Sequence, residues 1–216
     1  MSNKEFEVYI LKLAPQYYQD LLIKVICYYE YMRNVFLFMM TTLDGYFEGV
    51  DHDISWHNAD NEEFALFAND QLDETDTLIF GRKTYELMEN FWPSDEAIKI
   101  DPETALRMNS LRKVVFSRNP ISTNWHNVET SNHVFDKIHE LKHKPGKDIA
   151  VLGSSNLCLT LINDGLIDEI RIMINPIILG RGTPFLYGVD KQLNFKLKDS
   201  RTFKSGNVLL TYIVIQ

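Results

Sequence analysis

Five short apolar runs, separated by stretches with helical spacing, constrain this chain more than any other feature. They are VFLFMM (35–40), TLIF (77–80), KVVF (113–116), DIAVL (148–152) and EIRIMI (169–174). VFLFMM is apolar throughout, as a strand buried on both faces is, and EIRIMI alternates polar and apolar residues at its start. Strands that alternate with helices pair in parallel through crossover connections. The intervening helices carry their own punctuation. Asp60 is placed to cap a helix with Phe64, Phe67 and Leu72 on its apolar face, and a second helix runs over 83–89. Asp101-Pro102-Glu103 supplies an N-cap, a proline in the first turn and an acid at the positive helix end. Ser131 or Asn132 caps a helix that Pro145-Gly146 stops, and a last helix over 156–163 ends before Gly165. Two final strands, near 195–203 and 208–215, flank Ser205-Gly206-Asn207 and read as an antiparallel hairpin. The expectation is an α/β domain with a mostly parallel central sheet and an antiparallel C-terminal hairpin.

The first 31 of the 216 residues stand apart. Tyr18, Leu21, Leu22, Val25, Ile26 and Tyr29 have helical spacing after Pro15, and Met32 directly precedes the first strand. This predicts an N-terminal extension over 1–31, helical or poorly ordered, and one domain over 32–216. Glu5 and Glu7 occupy the place of a basic leader segment, and Lys12, Asp20 and Lys24 interrupt any apolar core of one. No apolar run reaches the roughly 18 residues that span a bilayer. Cys27 and Cys158 make no disulfide framework, as expected of a cytoplasmic protein. The formal charge of −8 argues against nucleic-acid and anionic-membrane partners. That charge is concentrated: residues 34–81 hold eleven acids and no Lys or Arg, which leaves +3 for the rest.

Three strands end alike. TLIF is followed by Gly81-Arg82-Lys83-Thr84, KVVF by Ser117-Arg118-Asn119, and DIAVL by Gly153-Ser154-Ser155-Asn156. In a parallel sheet these ends share one edge, where ligands bind. Glycine lets the backbone approach a phosphate, hydroxyls and helix N-termini donate to it, and Arg82 and Arg118 can grip its oxygens. A nucleotide with several phosphates suits such an edge, although neither GxGxxG nor GxxxxGK[ST] is present. Trp56, Phe91 and Trp92 can wall a flat ring. His139-Glu140-Leu141-Lys142-His143 matches HExxH, but Lys137, Lys142 and Lys144 surround it and no third ligand follows, so no metal site is expected. His52, His57, His126 and His133 lie in polar loops and read as surface residues.

The segments TTLDGYFEG (41–49), GRKTYE (81–86), VVFSRN (114–119) and the long stretch over 148–185 resemble the dihydrofolate-reductase-like superfamily. More narrowly, residues 32–215 resemble the reductase domain of the bifunctional riboflavin deaminase-reductase and its stand-alone relatives. The resemblance implies a three-layer α/β/α fold, an NADPH cofactor and a homodimer. It implies that Gly81, Arg82 and Thr84 meet the cofactor phosphates, and that Ser117 and Arg118 take the adenosine 2′-phosphate. Gly153, Ser154, Ser155 and Asn156 would cradle the pyrophosphate. Thr41, Asp44 and Gly45 would line the nicotinamide and substrate pocket, with Asp44 as the carboxylate that meets substrate. The family's usual Glu-Gly-Gly at the fourth strand end is here Leu152-Gly153-Ser154, and the zinc-binding deaminase domain is absent. The expected activity is hydride transfer from NADPH to a small pteridine- or pyrimidine-like ring, neutral or cationic because the substrate-side segment is acidic and free of bases. The alternatives are 5-amino-6-(5-phosphoribosylamino)uracil reductase and a non-catalytic NADPH-binding module.

Overall fold

A computed structural model describes residues 32–57 and 62–215. The extension over 1–31, Cys27 and the cap at Asp60 lie outside the described residues. In chain order the elements are β1 (Val35–Thr42), β2 (Tyr46–Glu48), α1 (Glu62–Asp73), β3 (Thr75–Gly81), α2 (Arg82–Phe91), α3 (Asp95–Ile100), α4 (Pro102–Ser110), β4 (Arg112–Phe116), β5 (Val128–Ser131), α5 (Val134–Lys142), β6 (Asp148–Val151), α6 (Ser155–Asn163), β7 (Glu169–Asn175), β8 (Thr183–Pro184), β9 (Asn194–Thr202) and β10 (Val208–Ile215). Ten strands form an eight-stranded sheet in the order β5-β4-β3-β6-β1-β7-β10-β9 and a small β2-β8 pair. The first six strands of that order pair in parallel. β10 and β9 close it as the expected antiparallel hairpin.

Helices cover both faces, and the strand centres bury apolar side chains on each. Successive residues of β1 point to opposite sides. Val35, Leu37 and Met39 pack beneath α5 and α6, with Ile138, Leu141, Leu157 and Leu161. Phe36 packs on the other side with Leu72 of α1, Tyr85 of α2 and Met108 of α4. The fold is thus a three-layer α/β/α domain with β1 at its centre. No helix among the described residues is long and apolar enough to cross a membrane.

Three features depart from the sequence reading. β5 carries no apolar run; VETS is an edge strand that pairs only with β4. α3 is a short helix capped by the Ser94 side chain. α5 starts two residues later than expected, on His133, whose side chain makes no cap; Ser131 Oγ instead accepts from the His133 N–H in the turn before it. The capping of α4 by Asp101 is as expected, with the carboxylate accepting from Thr104 N at 3.0 Å.

One buried cation stands out. Lys113, at the start of β4, is fully buried. Its Nζ donates to the carbonyls of Asn109 (2.8 Å), Leu111 (2.9 Å) and His126 (3.2 Å) and sits 4.4 Å from the Trp125 ring centre. Burial pushes its pKa down to about 8, so it is still charged at pH 7. It closes the C-terminal end of α4, whose last carbonyls have no partner within the helix. Lys113→Met keeps the bulk and strands three acceptors. It is expected to lower unfolding free energy by about 2–4 kcal/mol, read from denaturant melts; a loss near zero would show that the ammonium contributes no net stability.

Candidate active site

The carboxyl ends of β3, β4 and β6 enclose a cavity of about 310 Å³. Its lining brings together Gly81, Arg82, Ser117, Arg118, Ser154 and Asn156, with Asn132 and Val134 at the start of α5. Three helices begin at its wall: α2 after Gly81, α5 after His133 and α6 after Ser154. None of the three has a side-chain cap. By contrast, α3 and α4, which start elsewhere, are capped by Ser94 and Asp101. Uncapped helix starts and two guanidinium groups, with no carboxylate among the described lining residues, suit this cavity to an anion.

Two glycines shape it. Gly81 N donates to Gly153 O at 2.8 Å. A Cβ on Gly81 would lie 2.4 Å from Ser154 Oγ and 3.1 Å from Ser154 N. Gly153 has φ +112, a conformation that side chains rarely adopt, and its missing Cβ would meet Thr84 Oγ1 at 3.0 Å. Thr84 therefore backs the glycine rather than lining the cavity, and Ser155 is the first residue of α6 outside the lining. The Gly153-Ser154 peptide bond is cis.

A second cavity, of about 330 Å³, opens on the face covered by α1, α2 and α4. Phe36, Phe38 and Met40 of β1, Ala150 of β6 and Leu152 just beyond it form its floor; Phe64, Leu72, Met88, Trp92 and Met108 complete it. Leu152, the position where a carboxylate was missing, therefore faces this cavity. So does Trp92, as expected, while Phe91 and Trp56 are outside its lining. The polar side chains here are His57, Gln71 and Thr104. Gln71 Oε1 accepts from Arg171 (3.3 Å), and the Thr104 hydroxyl donates to Asn69 (3.0 Å). His57 was read as a surface residue. The structure half-buries it, with Nε2 enclosed in the wall of this cavity, and no local pattern in the sequence signals that.

Thr41, Asp44 and Gly45, expected to line a substrate pocket, lie outside the lining of both cavities. The Asp44 carboxylate accepts from the Thr42 hydroxyl (2.6 Å), Leu179 N (3.2 Å) and Gly180 N (2.7 Å). The Thr42 hydrogen bond first, and the two backbone bonds with it, hold the group below the usual carboxylate range. It is an ionised clasp between the β1 turn and the loop before β8, unsuited to giving a proton. Gly45 turns the chain at φ +81 and accepts from Phe185 N (2.8 Å). Thr41 is buried, with its carbonyl taken by Asn175 Nδ2. On α5, Glu140 of the HExxH match is held by Lys137 and Lys144, and the rings of His139 and His143 lie 4.1 Å apart, centre to centre.

Comparison with known proteins agrees with this architecture. The family described as the RibD C-terminal domain matches residues 33–209. The Bacillus subtilis (strain 168) protein named Uncharacterized protein YyaP is 33% identical over 180 residues, covering 83% of this chain and 94% of the relative. Among solved structures, the Thermotoga maritima diaminohydroxyphosphoribosylaminopyrimidine deaminase/5-amino-6-(5-phosphoribosylamino)uracil reductase superposes with a TM-score of 0.62 at 16% identity, over 91% of this chain and 62% of that one. Dihydrofolate reductase of Enterococcus faecalis, complexed with NADP(H), gives 0.59 at 16% identity, over 85% and 97%. At these identities the two structures establish the fold.

Asp44→Ala is expected to speed amide exchange at Leu179 and Gly180 by about tenfold and to leave β1 and β7 amides unchanged. Unchanged exchange at both loop amides would remove the clasp and reopen a substrate role.

Proposed function

The chain belongs to the RibD C-terminal domain family, and from that premise we propose that it is an NADPH-dependent oxidoreductase acting on a small ring. The observation that carries the reading is the junction of the two cavities. Within three residues, Leu152 faces the apolar cavity and Ser154 the anion-binding one. A dinucleotide laid along this edge would put its phosphates among Arg82, Ser154, Asn156 and the uncapped helix starts, and its reactive ring toward Leu152. The donor set fits such a group: glycines where a Cβ would crowd its neighbours, uncapped helix starts, and two guanidinium groups, of which Arg82 also meets Glu86 at 3.5 Å. When bound, the nicotinamide supplies a hydride from its C4 carbon. The chain's own part is to hold the phosphates, exclude water with Phe38, Met88 and Trp92, and present the ring substrate.

Arg118 and Ser117 are assigned to the 2′-phosphate, as the family resemblance implies. The names of the neighbours lend support: one is a pyrimidine reductase, the other was solved with NADP(H). The same kinship favours a second reading, 5-amino-6-(5-phosphoribosylamino)uracil reductase, against which stands an apolar cavity without a cation among its lining residues. The proposed setting is cytoplasmic and the proposed assembly a homodimer; a monomer mass in light scattering would remove the latter.

Fluorescence titration with NADPH tests the reading, followed by turnover against pteridine, pyrimidine and quinone substrates; no NADPH binding refutes it, and binding without turnover leaves the non-catalytic module. Arg118→Ala is expected to weaken NADPH at least about tenfold and NADH less than twofold. Equal losses for both cofactors would sink the 2′-phosphate assignment.

A further inference from the structure

Among the described residues that line the apolar cavity, one fully buried side-chain polar atom has no partner. His57 Nε2 is buried and has no hydrogen-bond partner. The Phe47 carbonyl lies beside the ring and favours a proton on the nitrogen that faces it. With that proton on Nδ1, Nε2 presents a bare lone pair. Burial lowers the pKa of the ring below its ordinary value, which keeps it neutral near pH 7. Its orientation is fixed from behind: Trp56 packs edge-on at 4.5 Å and 85°, and the Trp56 indole N–H is itself tied to the Asp53 carbonyl at 3.1 Å.

Of the other polar side chains, Gln71 Oε1 accepts from Arg171 and the Thr104 hydroxyl donates to Asn69. No Lys, Arg, Asp or Glu lines it among the described residues. Its volume, about 330 Å³, suits a compact ring. A buried acceptor without a donor is a standing loss that a ligand can repair. A phosphate entering the same space would shed its water and meet apolar carbon.

We propose that this cavity selects an uncharged flat ring with an N–H or O–H donor, which His57 Nε2 accepts, and that it discriminates against phosphate-bearing rings. The proposal rests on reading this cavity as the reductase's substrate site. It separates this chain from enzymes that recognise a ring through a carboxylate or through an attached phosphate.

Matched probes test it on the full chain by calorimetry or ligand-observed NMR. Indole and benzofuran share a shape and differ in one N–H donor. 2-Naphthol and 2-naphthyl phosphate differ in the phosphate. The wild type is expected to bind indole about tenfold tighter than benzofuran and naphthol tighter than its phosphate. His57→Phe should bring indole and benzofuran within twofold of each other. His57→Gln, which keeps an acceptor, should retain part of the preference, and the His57 Nε2 nitrogen resonance should move on adding indole but not benzofuran. Equal binding of indole and benzofuran by the wild type overturns the proposal. So does a preference that survives in His57→Phe, or tighter binding of naphthyl phosphate. Each titration is run with and without NADPH, so a failure of NADPH binding defeats the reductase reading while the ring preference still decides the role of His57.

Discussion

The arrangement of the site depends on one backbone contact, between Gly81 and the Gly153-Ser154 step. β6 enters the sheet between β3 and β1, with Ile79 beside Val151 in register. Two residues further along both strands, Gly81 N reaches Gly153 O at 2.8 Å. Any side chain at Gly81 would strike Ser154, and any at Gly153 would strike Thr84. Because both chains turn straight into helices there, α2 and α6 begin side by side. Their first N–H groups stay free for a ligand, since neither Gly81 nor Ser154 makes a side-chain cap. A glycine cap at one helix and an uncapping serine at the other give up local helix stability, a few tenths of a kcal/mol at the glycine and of order 1 kcal/mol at the serine against a good cap. That sacrifice makes physical sense when an anion provides the missing acceptor.

The acidic block over 34–81 looks different once folded. Its carboxylates meet bases from outside the block: Asp76 pairs with Arg33, Asp73 with Arg107 (2.8 Å), Glu74 with Arg171 (3.3 Å) and Glu63 with Arg201 (3.5 Å). Asp44 is taken by backbone N–H groups. None of its described carboxylates lines the ring cavity. The block is therefore not a negative field around the substrate; α1 and the start of β3 spend their charge on joining neighbouring elements. The sequence-based expectation of a neutral or cationic ring rested on that field. The proposed neutral ring rests on a different ground, an apolar cavity wall with no carboxylate among its described residues.

What could be read in advance follows from how local each signal is. The five apolar runs are strands because both sheet faces are covered, a condition written residue by residue into VFLFMM and its counterparts. The cluster at the ends of β3, β4 and β6 was legible for a related reason: parallel pairing alone places Gly81, Arg82, Ser117, Arg118, Ser154 and Asn156 on one edge. β5 escaped because an edge strand such as VETS has one neighbour and needs no apolar run. Asp44 looked chemical from its place just after a strand, yet its partners, Leu179 and Gly180, lie more than a hundred residues away. His57 escaped for the converse reason. Its surroundings in sequence are polar, and its burial comes from the cavity wall it joins.

The two cavities divide charge between them, and the division bears on where a proton can come from. The phosphate-side cavity holds Arg82 and Arg118; the ring-side cavity holds no ionised side chain among the described residues. Hydride transfer to a ring must be completed by a proton. Asp44 is held ionised by its three hydrogen bonds and lines neither cavity. His57 Nε2 has no partner, and burial opposes protonation of the ring. Within the proposed reaction the imidazole would orient the ring by accepting, and the completing proton would have to come from water. An apolar wall makes that step depend on water access rather than on the ionisation of a carboxylate, which is the chemical consequence of Leu152 standing where the family usually has an acid.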